Sequence, residues 1–319
     1  MLNKFKQRIL LFFKGIAMGG ADVIPGVSGG TIAFITGIYE RFIGALKNID
    51  DQAIKLLFKG RIKSLIERID GYFLLTLLIG MLTAVLSVAQ LLKFLLENEP
   101  VFIWSFFFGL IVASAWVVSQ HINRWNYLLA LFLIMGALVA YFITNTNIIE
   151  TPNTPIYIFF AGMVSIVAMI LPGISGSFIL VIMGKYNIII SSMSSISNFI
   201  KAGVPALFSG NWVAFQSAFG DVKILIIASF YIGAIVGLVT FSKVLSWLFN
   251  KFHDLTVAVL TGFLIGSLNK VWPWKETLEY HVNRHGEQEP LIEKNVLPTT
   301  FSIDVFMAFG LMICGFLIV

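Results

Sequence analysis

Two stretches carry the residues best placed to hold a charged group. They are Pro25-Gly26-Val27-Ser28-Gly29-Gly30-Thr31 and, 147 positions later, Pro172-Gly173-Ile174-Ser175-Gly176-Ser177. Each interrupts a long apolar run. Proline removes a backbone donor, glycine frees the chain, and the Ser-Gly pair can open a new helix whose first N–H groups lack partners. Such an opening attracts anions, through its free donors and through the positive end of the helix dipole. The chemistry expected is therefore binding: N–H groups of residues 27–31 and 174–178, with the hydroxyls of Ser28, Thr31, Ser175 and Ser177, around a phosphate or carboxylate. The bland alternative is a kink that serves helix packing.

Other side chains could assist. Asp22 precedes the first break, where the second copy has Met169. A carboxylate at that depth either takes part in function, for example as a proton carrier, or caps the freed N–H groups. Glu40 and Arg41 follow Gly37-Ile38-Tyr39, and Lys185 lies in the matching Gly184-Lys185-Tyr186. Arg41 and Lys185 can snorkel to the interface or attract an anionic head group from opposite leaflets. Lys243 and Lys270 are weaker candidates of that kind, and Ser114 and Ser267 read as small packing residues. Residues 26–30 also fit G-x-S-x-G, so an intramembrane serine hydrolase has to be weighed. The context opposes it, because no strand precedes the serine and His121, His253, His281 and His285 all fall outside the apolar runs. His281 and His285 beside Glu279 and Glu287 have zinc-like spacing, but a solvated loop accounts for them. Nothing in the sequence asks for a cofactor, a metal or covalent chemistry, so the chain reads as a non-enzyme.

The elements that must position these residues follow from composition. Of 319 residues 58% are apolar and 12% charged, with a mean hydropathy of +0.89, outside the range of a soluble domain and in that of a polytopic membrane protein. The net charge of +5 reports orientation, since Lys and Arg gather on the cytoplasmic side, and implies no nucleic acid. Cys314 is the only cysteine, which excludes an intramolecular disulfide. No small-residue cleavage site precedes the first break, so the N-terminal stretch is expected in the mature chain. Residues 9–46 form a re-entrant helical hairpin broken at Pro25, residues 50–69 an amphipathic interfacial helix in the most basic part of the chain, and residues 72–96, 101–119 and 127–143 three crossings. The loop after them lacks Lys and Arg, as an external loop should. A second hairpin at 156–190, broken at Pro172, is followed by helical or interfacial material to residue 221. Crossings at 224–249, 255–271 and 302–319 complete the chain, with a mixed-charge outer loop at 272–300.

Further matches hold the halves in step: Leu57-Phe58-Lys59-Gly60 with Leu207-Phe208-Ser209-Gly210, and residues 109–114 with 262–267. A unit with three crossings inserts in opposite senses when duplicated. The expected fold is thus an all-α polytopic membrane protein of two inverted-topology repeats, 1–150 and 151–319, with the N-terminus cytoplasmic. Many secondary transporters use this construction to present a midplane site to either side in turn.

Residues 19–31, then Gly37-Ile38-Tyr39-Glu40-Arg41, with residues 172–177 and 184–186, resemble the bacterial PopT-type polyprenyl-phosphate transporter family over essentially the whole chain. The resemblance implies a plasma-membrane flippase that returns undecaprenyl phosphate, the lipid carrier of peptidoglycan and other envelope polymers, from the outer to the inner leaflet. It places the site at Asp22, Pro25, Gly26, Ser28, Gly29, Gly30 and Thr31 and at Pro172, Gly173, Ser175, Gly176 and Ser177. The expected partners are the polyprenyl phosphate lipid and the bilayer, with proton or ion coupling through Asp22 or Glu40 as a further expectation. A transporter or channel for a small soluble anion is the alternative function, the hydrolase the second, and a non-transporting assembly factor the last.

Overall fold

The computed structural model describes residues 2–319 except 24–26, 147, 148, 150, 221, 222, 283–287, 299 and 301. Helices α1 (Leu2–Val23), α2 (Gly29–Ile35) and α3 (Tyr39–Lys47) come first. Next are α4 (Asp51–Phe58), α5 (Ile62–Arg68), α6 (Gly71–Ser87), α7 (Ala89–Asn98), α8 (Pro100–Ser119) and α9 (Tyr127–Thr144). The second half holds α10 (Pro155–Ile170), α11 (Gly176–Ile182) and α12 (Tyr186–Asn198), a π-helical turn (Phe199–Gly203), α13 (Val204–Phe208), α14 (Trp212–Gly220), α15 (Ile224–Lys251), α16 (His253–Ser267) and α17 (Ile303–Ile318). Among the described residues α8, α9 and α15 are each long and apolar enough to cross a membrane. The bent pair α5 and α6 passes the same test together, as does that of α11 with the helical run after it. Leu82 and Leu86 of α6, Phe142 of α9, Ile235 of α15 and Leu317 of α17 are exposed, an outward apolar surface too large for water. The chain is a multi-pass membrane protein.

Three expectations are corrected. The interfacial helix 50–69 is two helices, parted at Gly60, whose φ of +67° ends α4 in a left-handed turn. The crossing 72–96 is also two helices, α6 and α7, meeting at Val88. The loop at 272–300 contains an antiparallel hairpin, β1 (Lys275–Val282) with β2 (Gln288–Asn295), so the chain is not purely helical. His285 and Glu287 lie outside the described residues, and these hold no cluster suited to a metal.

Two short helices, α2 and α11, end by the same local chemistry. In the first, Lys14 Nζ, well before the end of α1, donates to Thr36 O at the far end of α2 at 2.6 Å, so α2 runs back along α1. The return ends at Gly37, with φ +69°, where Gly37 N bonds Phe34 O and Ile38 N bonds Ala33 O. The second return ends alike at Gly184, with φ +66°, through Gly184 N to Val181 O and Lys185 N to Leu180 O. Only glycine takes this backbone without strain.

Packing between helices follows small residues. Gly15 and Gly19 of α1 bring it onto α6 at Leu77 and Met81; Gly162 of α10 meets α15 at Phe230. Gly109 sets α8 on α17 at Met312, and Gly262 sets α16 on α9 at Leu133. A Cβ at these places would run into a neighbour's backbone, so the close approach depends on glycine.

Outside the spans, Asp50 caps α4 by accepting from Ala53 N at 2.9 Å and holds Arg68 through two bonds of 2.5 and 3.1 Å. The Arg68 guanidinium pulls the Asp50 carboxyl down to about 2. A depressed carboxylate contributes stability above its unfolded value of about 3.9, lost as pH falls through the folded one. The thermal midpoint is therefore expected to fall between about pH 4 and pH 2, and Asp50→Asn to remove part of that slope. An unchanged pH dependence in the variant would show that this pair contributes nothing.

Candidate functional site

The site is built where the two breaks meet. The end of α10 leaves carbonyls that the helix cannot satisfy, because the chain stops being helical before Pro172. Two donors from the first hairpin supply partners. Ser28 Oγ lies 3.1 Å from Met169 O and 3.2 Å from Leu171 O, and Tyr39 OH donates to Ile170 O at 3.0 Å. In return Gly173 N donates to Thr31 Oγ1 at 3.0 Å. Each hairpin break thus completes the other's hydrogen bonds. Ser28, Thr31 and Ser175 are all buried, beside the apolar side chains of Val27, Ile170 and Ile174.

The donors expected to face an anion at the first tip are already engaged. Gly29 N bonds Asp22 Oδ1 at 2.6 Å, Gly30 N bonds Ser28 Oγ at 3.1 Å, and Thr31 N bonds Ser28 O at 2.9 Å. That corrects the expectation that these three groups stand open. Asp22 caps the first turn of α2, which stabilises the break as an N-cap does. Gly29 is required beside it, since a Cβ there would sit 2.6 Å from Asp22 Oδ2. Val27 is buried, while Pro25 and Gly26 lie outside the described residues.

The second tip differs. Ser175 does not cap α11; its hydroxyl pairs with that of Ser177 at 2.9 Å. Among the described residues no hydrogen bond engages the N–H of Gly176 or Ser177, and Ser177 is exposed whereas residues 27–34 are not. Gly173, with φ +83°, packs on α16 so closely that a Cβ would lie 2.8 Å from Phe263 O and 2.9 Å from Ser267 Oγ. Pro172 and Ile174 are buried beside it. Ser165 Oγ donates to Gly176 O at 2.9 Å, and Lys270 Nζ lies 5.0 Å from the ring of Phe178. Among the described residues the first tip's donors are engaged and those of Gly176 and Ser177 are not.

The remaining charged candidates serve elsewhere. Lys185 is 1% exposed, not snorkelling: its Nζ bonds Thr151 O and Asn153 Oδ1, which ties the loop before α10 to the base of the second hairpin. Arg41 grips Asp70 at 2.6 and 3.1 Å and lies 4.3 Å over the Phe73 ring. Glu40 Oε1 is 3.4 Å from His253 Nε2, an exposed pair linking α3 to α16. Ser114 and Ser267 are fully buried, and each bonds a carbonyl of its own helix. Sequence reasoning missed Tyr39 as a site residue. Its place in the repeated Gly-x-Tyr was the available signal, but only the fold brings its hydroxyl to Ile170.

With this geometry in hand, the comparisons decide the family. The model of the VCA0040-like, undecaprenyl phosphate translocase-like family matches residues 18–289. This chain belongs to that family. It is 40% identical over 301 residues to a polyprenyl-phosphate transporter of Vibrio cholerae, covering 94% of this chain and 89% of that protein. It is also 31% identical over 287 residues to one of Staphylococcus aureus, covering 85% and 88%. No solved structure matches the chain. The family member described here thus joins Ser28, Thr31 and Tyr39 to residues 169–173 in one mutually bonded cluster.

Proposed function

We propose that this protein carries a polyprenyl phosphate between the leaflets of the bacterial plasma membrane, with the phosphate held at the paired hairpin breaks and the prenyl chain left in lipid. The observation that carries the proposal is the bonding of Ser28, Thr31 and Tyr39 to Met169, Ile170, Leu171 and Gly173 across the two breaks, in a chain of this family. A phosphate is too costly to place in hydrocarbon unaided, and a cluster of backbone and hydroxyl groups is what can replace its water. In this closed arrangement the N–H groups of Gly176 and Ser177 carry no hydrogen bond among the described residues. Parting the breaks frees Ser28 Oγ, Thr31 Oγ1 and Gly173 N as well.

Two inverted-topology repeats provide the motion. The packing supports this reading, since α1 on α6 matches α10 on α15, and α8 on α17 matches α16 on α9, as a two-fold relation between halves requires. Exchanging the halves then exposes the same cluster to each leaflet. The basic N-terminal region places the N-terminus in the cytoplasm, and recycling of the lipid carrier runs from the outer to the inner leaflet. The Ser28 hydroxyl donates to carbonyls, and no histidine bonds it among the described residues, which leaves it without the base a nucleophile needs.

The test is leaflet exchange in sealed vesicles containing the purified protein. Labelled undecaprenyl phosphate is expected to exchange much faster than in empty vesicles, and undecaprenol, which lacks the charge, to show no protein-dependent rate. Flux of inorganic phosphate without movement of the lipid would replace the proposal with a soluble-anion transporter, and release of phosphate from the lipid with a hydrolase.

A further inference from the structure

A cavity of about 460 Å³ lies between α1, α6 and the start of α3, apart from the hairpin breaks. Three of its lining residues are cations: Arg8 and Lys14 on one face of α1, and Arg41 on α3; none is a carboxylate. Asp70 outside the lining takes up the Arg41 charge, so Arg8 and Lys14 supply the net positive potential. Thr76 adds a hydroxyl, and the rings of Tyr72 and Phe73 form the apolar wall. Arg8 lies 5.7 Å over Tyr72. Leu10 and Phe13 of α1 and Leu75 and Ile79 of α6 are exposed, so both helices present an apolar track beside these cations. Cations above an apolar track fit an amphiphile with one anionic head and a hydrocarbon tail.

Two further observations tie the cavity to transport. Lys14 bonds Thr36 O at the far end of α2, whose other end is the tip at Ser28. The cavity is thus one seven-residue helix, about 10 Å, from the break. Moreover the cations are not repeated. At the offset of 147 that relates the two proline breaks, Arg8, Lys14 and Arg41 correspond to Pro155, Ala161 and Ile188. This set of three cations is therefore found in the first half only.

We propose that this cavity is a second head-group site for a phosphate-bearing prenyl lipid, a staging position in the leaflet on the side of the N-terminus. The inference rests on the transport function proposed above and adds where the lipid waits on that side. It makes the two halves of a repeated structure unequal, because Arg8, Lys14 and Arg41 have no charged counterpart at that offset.

The test uses the full chain in phosphatidylcholine vesicles and a prenyl phosphate with a photoactivatable group near the phosphate. Label is expected on residues 7–14 and 72–76. Unlabelled polyprenyl phosphate should prevent it, and polyprenol, phosphatidylglycerol and inorganic phosphate should not. Arg8→Gln with Lys14→Gln should lower the labelling about tenfold, whereas Arg8→Lys with Lys14→Arg keeps it, which separates charge from folding. Equal competition by phosphatidylglycerol would make the cavity a general phospholipid site, and by inorganic phosphate a free-anion site; either overturns the proposal. Leaflet exchange without label at these residues overturns it alone. Label that is specific here, with no exchange by the unaltered protein, sinks the transport function and leaves a lipid-binding site.

Discussion

Gly30→Val is expected to lower leaflet exchange of polyprenyl phosphate about tenfold. A Cβ at Gly30 would lie 2.5 Å from Ile170 O and 3.2 Å from Ser28 Oγ, inside the contact that joins the two breaks. Neither neighbour can give way freely, because Ile170 O is held by Tyr39 OH and Ser28 Oγ by two carbonyls and Gly30 N. Overpacking of this sort costs about 1–3 kcal/mol, and about 1.4 kcal/mol is a factor of ten in a rate. Gly20 is the control. A Cβ there meets nothing within 4 Å, so Gly20→Ala should leave exchange unchanged and add about 0.5–1 kcal/mol of helix stability. Thermal midpoints of both variants separate a lost fold from a lost function. Exchange at the unaltered rate in a folded Gly30→Val protein would mean that the phosphate passes somewhere else.

Asp22 is the second test, because its two roles make opposite forecasts. As a cap its work is to accept from Gly29 N at 2.6 Å. Asp22→Ala leaves that buried N–H without a partner, at about 1–3 kcal/mol, and should lower both thermal midpoint and exchange several-fold. Asp22→Asn keeps an oxygen in place and should retain most of both. If Asn instead abolishes exchange while the midpoint holds, the carboxylate is carrying a proton, and exchange in the unaltered protein should then respond to a pH gradient across the vesicle. Retained exchange in Asn with no response to the gradient assigns Asp22 to the break itself.

The sequence made the breaks visible, because Pro-Gly followed by Ser-Gly in an apolar run leaves few other backbone paths. It did not show where the hairpins end: the apolar runs extend over 9–46 and 156–190, whereas the returns stop at left-handed turns at Gly37 and Gly184. It could not show the parting of α6 from α7, where Val88 offers no proline or glycine as a signal. The mixed charge of residues 272–300 hid the strands Lys275–Val282 and Gln288–Asn295. Lys185 was misplaced for a related reason: a lysine near the end of an apolar run usually reaches for water, and only the return of residues 151 and 153 gives it a buried partner.

From the chain alone come the membrane class, the duplicated breaks and the types of group gathered at them, all of which depend on local backbone chemistry and hydropathy. The fold decided which of those groups are occupied. Ser28, Thr31 and Tyr39 answer carbonyls and an N–H more than 130 residues away, and no local pattern can say which of two equivalent tips is satisfied by the other. That choice depends on how the halves pack, which is why, among the described residues, the first tip's donors are engaged and those of Gly176 and Ser177 are not.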